Sequence, residues 1–152
     1  MSASERATPV QFEVPAIVPA DPQANVADLL AERVKATPNL ALFGIPDGDT
    51  WRDVTAAEFE KQVVALAKGL VAAGIEPGEK VAFLARTTYN WTLVDFAIFY
   101  AGAVMVPVYE TSSPAQIQWI LSDSDAIACI FESAEHGTRL DEARADLPGV
   151  RA

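Results

Sequence analysis

The chain has 152 residues, 51% of them hydrophobic, and a formal net charge of −10. That is enough for one domain with a real core, and too apolar for a disordered chain. The acidic balance argues against nucleic acid and anionic membrane surfaces as primary partners, since both call for a basic face.

Residues 1–24 are rich in Pro, Ala and Ser, with Pro9, Pro15, Pro19 and Pro22 in no helical period. Such spacing favours extended, poorly paired backbone, so this stretch is expected to be a surface arm. A helix is expected from Asn25, a good N-cap, with Asp28 suiting the helix dipole in the first turn. Val26, Leu29, Leu30 and Val34 share one face of it, and Thr37-Pro38 stops it. Two β-prone runs, residues 40–45 and 50–54, flank Pro46-Asp47-Gly48-Asp49 and predict a hairpin.

Thr55-Ala56-Ala57-Glu58 has the form of a capping box opening the next helix. Phe59, Val63, Leu66, Ala67 and Leu70 make its apolar face. Gly74 is placed to take the left-handed position past its end, with Ile75 folding back on Leu70. Glu76-Pro77-Gly78-Glu79 fits a type II turn.

Three short apolar runs follow, at residues 81–85, 104–109 and 126–131, separated by helix-length segments at 91–101 and 114–122. Short buried strands alternating with helices predict a parallel β-α-β-α-β unit. The fold class expected is therefore α/β, with layered helices on a mostly parallel sheet, plus a small β-hairpin. Pro107 places its strand at an edge or a bend. Ser113-Pro114-Ala115-Gln116 is a second capping box with Pro at the first helical position. Residues 135–147 predict a last helix, weakened at Gly137, and Val150 reads as the first residue of a further strand.

The segment 91–101 is apolar almost all round, with only Thr92 and Asp95 clearly polar. A helix of that kind is covered on several sides, whereas a small sheet covers one. The expectation is that its remaining cover comes from other protein, either more of the same chain or a partner, leaving an apolar patch where that cover is lacking.

Chemical motifs are sparse. Neither phosphate-cradling glycine loop occurs, nor G-x-S-x-G, H-E-x-x-H or a calcium loop. Cys129, the only cysteine, lies in an apolar run and reads as a small buried hydrophobe. His136, the only histidine, lies among Glu135, Gly137 and Arg139 and reads as a solvated surface residue. A His/Cys zinc site is almost excluded. The pairs Asp47/Asp49, Asp123/Asp125 and Asp141/Glu142 read as solvated surface. Ligands in open α/β sheets gather beyond the carboxyl ends of strands. Those ends are Arg86-Thr87-Thr88, Tyr109-Glu110-Thr111-Ser112 and Glu132-Ser133. Ordinary helix capping explains most of their Ser and Thr, but not Arg86 or Tyr109.

Two stretches carry a family resemblance. Trp51-Arg52-Asp53-Val54, the helix over 56–73 and Gly74-Ile75-Glu76-Pro77-Gly78-Glu79-Lys80-Val81-Ala82 resemble the opening of the acyl-adenylate-forming, AMP-binding superfamily. Phe99-Tyr100-Ala101-Gly102-Ala103-Val104-Met105-Val106-Pro107-Val108 resembles its "AGA…VP" segment. The continuation from Tyr109 to Ile117, then Ile120-Leu121-Ser122-Asp123-Ser124, is similar to the bacterial long-chain fatty acyl-CoA synthetase branch.

The resemblance covers about residues 25–150. It implies that residues 25–152 are an N-terminal subdomain, about the first quarter of such a ligase and an incomplete part of its large domain. The parent would use ATP, Mg and CoA on a long-chain fatty acid, through an acyl-adenylate and then a thioester. The family's phosphate loop, adenine and magnesium contacts, hinge and C-terminal lysine have no counterparts here. No catalytic, cofactor-binding or metal residue is therefore assigned, and the segment alone is expected to be inactive.

No apolar run reaches the ~20 residues of a membrane span, and a cytoplasmic location is expected. Peripheral membrane association of the parent is left open. The rest of the large domain, or self-association through apolar surface, would supply partners. The alternatives are a free-standing flavodoxin-like α/β binding module and a non-catalytic interaction protein.

Overall fold

The computed structural model describes residues 13–15, 17–18 and 23–151. Most of the expected N-terminal arm lies outside the described residues. The part inside has no regular structure, with Val14, Ile17 and Val18 exposed.

The elements are α1 (Val26–Ala36), β1 (Ala41–Asp47), β2 (Thr50–Thr55), α2 (Ala56–Ala72) and β3 (Lys80–Leu84). They continue as α3 (Tyr89–Tyr100), β4 (Val104–Val108), α4 (Pro114–Asp123), β5 (Ala126–Phe131) and α5 (Ala134–Ala143). A 3-10 turn (Arg144–Asp146) follows α5. The expected class holds: a parallel three-stranded sheet in the order β4-β3-β5, plus an antiparallel β1-β2 hairpin.

β3 is the middle strand, and residues 81–85 are all buried. Its side chains alternate between two cores. Ala82 and Leu84 face a cluster with Ile117 and Leu121 of α4 and Leu140 of α5. Val81 faces Ile98 of α3 and Ile75. β4 is an edge strand, which is where Pro107, lacking an N–H, is tolerated. Beyond β5 the sheet gains one parallel bridge, Ala128 with Arg151, one residue later than Val150 suggested.

Two helix ends set the strand starts, and both use the same device. After α2, Gly74 (φ 84°) donates its N–H to Val71, and Ile75 donates to Leu70. After α3, Gly102 (φ 77°) donates to Phe99, and Ala103 to Ile98. These are Schellman ends, and glycine is needed there because an L side chain is strained at positive φ. The Glu76–Glu79 turn forms as expected, with Gly78 at φ 85°. It locks to the second helix end: the Gly78 N–H donates to the Gly102 carbonyl, and Val104 donates to Glu79, both at 2.8 Å.

α3 is covered in part, with Ala97 and Ile98 its fully buried residues. Its second side is covered by the chain itself, since α1, α2 and the hairpin fold over it. Leu93, Phe96 and Tyr100 join Leu30, Val54, Phe59 and Phe43 in a third core. Phe59 meets Phe96 edge-on at 5.6 Å. Trp91, Phe96 and Phe99 are half-buried, so no bare apolar stripe runs along this helix. Exposed large side chains lie elsewhere, Leu29, Trp51, Tyr109 and Trp119 among them.

The capping predictions divide. Asn25/Asp28 forms a full capping box that the sequence reading had not closed, and Ser113/Gln116 forms the expected one. Thr55 accepts from the Glu58 N–H, but the Glu58 carboxylate takes Arg52 of β2 at 2.6 Å instead of reaching back. A charge-assisted bond outcompetes a neutral backbone donor.

α5 stops at Ala143, short of the expected residue 147, and Gly137 within it has a packing reason. A Cβ there would lie 2.9 Å from the Phe131 ring.

Gly102→Ala is expected to destabilise the fold by at least about 1–2 kcal/mol, from the left-handed backbone alone. A Cβ there would also crowd Pro77 at 3.2 Å. Gly69→Ala, in open space within α2, should instead stabilise by about 0.5–1 kcal/mol. Urea unfolding of the two variants checks the opposite signs.

Candidate functional site

The carboxyl ends of the three parallel strands converge on one corner, as sheet topology requires. Arg86 leaves β3 and is clasped by Glu132 at the end of β5. The Arg86 backbone N–H donates to Oε2 of Glu132 at 2.9 Å, and its guanidinium to Oε1 at 2.7 and 3.1 Å. The Glu132 N–H returns a bond to the Leu84 carbonyl.

α5 begins immediately after β5. Ser133 caps it, accepting from the His136 N–H at 3.2 Å. Arg139, one turn on, donates to the Ser112 carbonyl at 2.9 Å and so ties α5 to the loop after β4. It also faces Glu135 at 3.7 Å.

Together these form a polar pocket of about 590 Å³, with Glu110 and Thr111 completing the wall. Beside it lies a smaller apolar cleft of about 240 Å³, walled by Trp91, Pro107 and Tyr109 and sharing Glu110.

Arg86, Glu110, Thr111, Glu132 and Ser133 are thus brought together as the strand-end rule expected. Thr87 and Tyr109 line the adjoining cleft instead. Thr88 sits at the N-cap of α3 without a side-chain bond. Ser112 is buried and contributes its carbonyl. Arg86, which had no local explanation, is explained by Glu132.

His136 corrects the sequence reading: it is buried, not solvated. Its acidic and basic sequence neighbours suggested surface, but its position in the first turn of α5 turns it into the strand-end corner. The i, i+3 spacing of His136 and Arg139 directly after a strand was the available signal. Their Nδ1 and Nε atoms are buried without a hydrogen-bond partner.

The electrostatics are set by carboxylates. Glu110, Glu132 and Glu135 face two guanidiniums, each already engaged. Bonds from Arg86 hold the Glu132 carboxyl down at about 2, and the same pairing raises the Arg86 guanidinium above its ordinary value. No group of His, Cys, Asp and Glu able to hold a metal occurs among the described residues. The corner therefore does not fit the phosphates of a nucleotide: its cations are spent and its balance is negative. Ser133 Oγ is used as a cap, accepting from the His136 N–H.

Cys129 behaves as the sequence indicated. It is buried in β5, and burial pushes its thiol up to about 12, so it is no nucleophile.

The family model described as "AMP-binding enzyme" matches residues 30–151. The chain belongs to this family. It is 36% identical over 141 residues to a long-chain-fatty-acid–CoA ligase, FadD15, of Mycobacterium bovis. That alignment takes in 93% of this chain and 24% of the relative, so the chain spans about a quarter of that protein.

Among solved structures, it is similar to the N-terminal domain of FACL13 from Mycobacterium tuberculosis, with a TM-score of 0.71 and 27% identity. That match covers 80% of this chain and 30% of the other. An anthranilate CoA ligase, AuaEII, solved with anthranoyl-AMP, shares the fold at a TM-score of 0.74 and 24% identity, over 84% of this chain and 24% of that one. No described helix is long and apolar enough to cross a membrane.

Two outcomes follow. The depressed Glu132 contributes stability that is fully present above the ordinary carboxylate value of 4.5 and is lost as pH falls toward 2. Comparing Tm against pH for the wild type and Glu132→Gln should show a modest component in that window that the variant lacks. Its size is limited because the pair is solvent-accessible. Cys129 should resist a thiol-labelling disulfide reagent at pH 8 in the native state and react rapidly in urea.

Proposed function

We propose that this chain is the N-terminal subdomain, residues 25–152 behind an N-terminal arm, of a long-chain fatty acid–CoA ligase. The observation that carries the reading is the 36% identity to a mycobacterial ligase of that name, sustained across 93% of this chain. The whole enzyme would join a fatty acid carboxylate to the α-phosphate of Mg-ATP, release pyrophosphate, and pass the acyl group to the thiol of CoA. Its place of action is proposed as the cytoplasm.

Within that enzyme this segment supplies scaffold and wall. Catalytic, cofactor-binding and metal residues are proposed to be none here. In support, both strand-end guanidiniums are engaged by carboxylates, and the one histidine is buried within the corner. Trp91, Pro107 and Tyr109 give that corner an apolar cleft suited to flank an acyl or pantetheine chain.

The test is palmitate-dependent pyrophosphate release with Mg-ATP and CoA. The 152-residue chain should stay at background, while the polypeptide that continues it through a whole ligase should turn over. Turnover by the chain alone would overturn the assignment of no catalytic residue. A full-length protein active only on a non-fatty acid would overturn the substrate class.

A further inference from the structure

The strand-end corner keeps two buried polar atoms that no protein group satisfies, Nδ1 of His136 and Nε of Arg139. Among the described residues no other buried side-chain nitrogen or oxygen is left so. Both residues line the pocket of about 590 Å³. They stand at i and i+3 on α5, a spacing that makes side chains neighbours on a helix. His136 is only 6% exposed. Leaving a buried polar atom unpaired is costly, so nearly all such atoms are paired with protein or with ordered water.

The rest of the Arg139 side chain is already committed. One terminal nitrogen donates to the Ser112 carbonyl at 2.9 Å, and the other faces Glu135 at 3.7 Å. The Nε–H is the donor left over, and arginine keeps that proton at any ordinary pH. Charge then decides what can sit between the two atoms. The guanidinium repels a cation, and Glu110, Glu132 and Glu135 around the pocket repel an anion. Depth decides size: both atoms are sealed from bulk solvent, which leaves room for nothing larger than one water. Buried waters sit where two to four polar groups would otherwise go unpaired.

We propose that a single buried water bridges Arg139 and His136. It accepts from the Arg139 Nε–H and donates to His136 Nδ1, so the imidazole carries its proton on Nε2. With the proton on Nδ1 instead, two donors would meet at the water. Its own hydrogens would then find no unpaired buried side-chain acceptor among the described residues. The bridge completes a chain of bonds from His136 through Arg139 to Ser112, fastening the first turn of α5 to the loop after β4. This inference rests on the two atoms alone and stands whether or not the ligase reading does.

His136 is the only histidine, so its ring nitrogens give one isolated set of NMR signals. The experiment uses the isotope-labelled 152-residue chain at about pH 9, above the ordinary imidazole range. The expected spectrum is that of the Nε2–H tautomer, with Nδ1 unprotonated. Magnetic relaxation dispersion of the water oxygen counts long-lived internal waters. That count should fall by about one in His136→Phe, which removes the acceptor. It should fall equally in Arg139→Lys, which keeps the charge and loses the Nε–H.

The Nδ1–H tautomer, or an imidazole still charged at that pH, overturns the proposal in the wild type without any variant. So does an unchanged water count in either variant whose amide spectrum shows the fold intact. Should a variant fail to fold, the wild-type tautomer decides alone.

Discussion

The structure depends on burying β3 on both faces and both edges at once. Five consecutive residues, from Val81 to Ala85, are sealed, with β4 and β5 hydrogen-bonded on either side. A strand in that position can satisfy its backbone only through the ladder, because no water reaches it. It also demands a helical layer on each face. α4 and α5 supply one and α2 and α3 the other, each burying aliphatic side chains against alternate residues of the strand. The interlocked turns at Gly78 and Gly102 fix where β3 and β4 start relative to each other, and hence their register.

Much of this was legible in the sequence because the signals were local. The capping Ser113 with Gln116, the Pro77-Gly78 turn and the Gly74 helix end each declare themselves within a few residues, and each formed. The three short apolar runs were read as strands, and Pro107 correctly marked the edge. The second Schellman end, at Gly102, was equally local but hidden in a run of small apolar residues.

What escaped was long-range. The burial of His136 follows from how α5 leaves β5, which no sequence neighbour encodes. Glu58 was expected to close its own cap, but a cation six residues earlier, brought close by the hairpin, captured it. The cover that the chain itself gives α3 is long-range too. Its apolar circumference was read correctly, but the hairpin that closes over it sits some fifty residues away in the chain. At the strand-end corner, position was predictable from topology while electrostatic balance was not. Arg86 has no local explanation because its partner, Glu132, lies 46 residues on.

The strand order has a consequence for how the chain is made. The ribosome delivers the middle strand first, then one flank, and only after a further helix the other. At roughly 5–20 residues per second, the most water-averse segment of the protein waits several seconds with an open side. Nascent chains therefore stay open to sticking together along one edge of β3 until β5 has arrived, a window in which a chaperone has reason to be present.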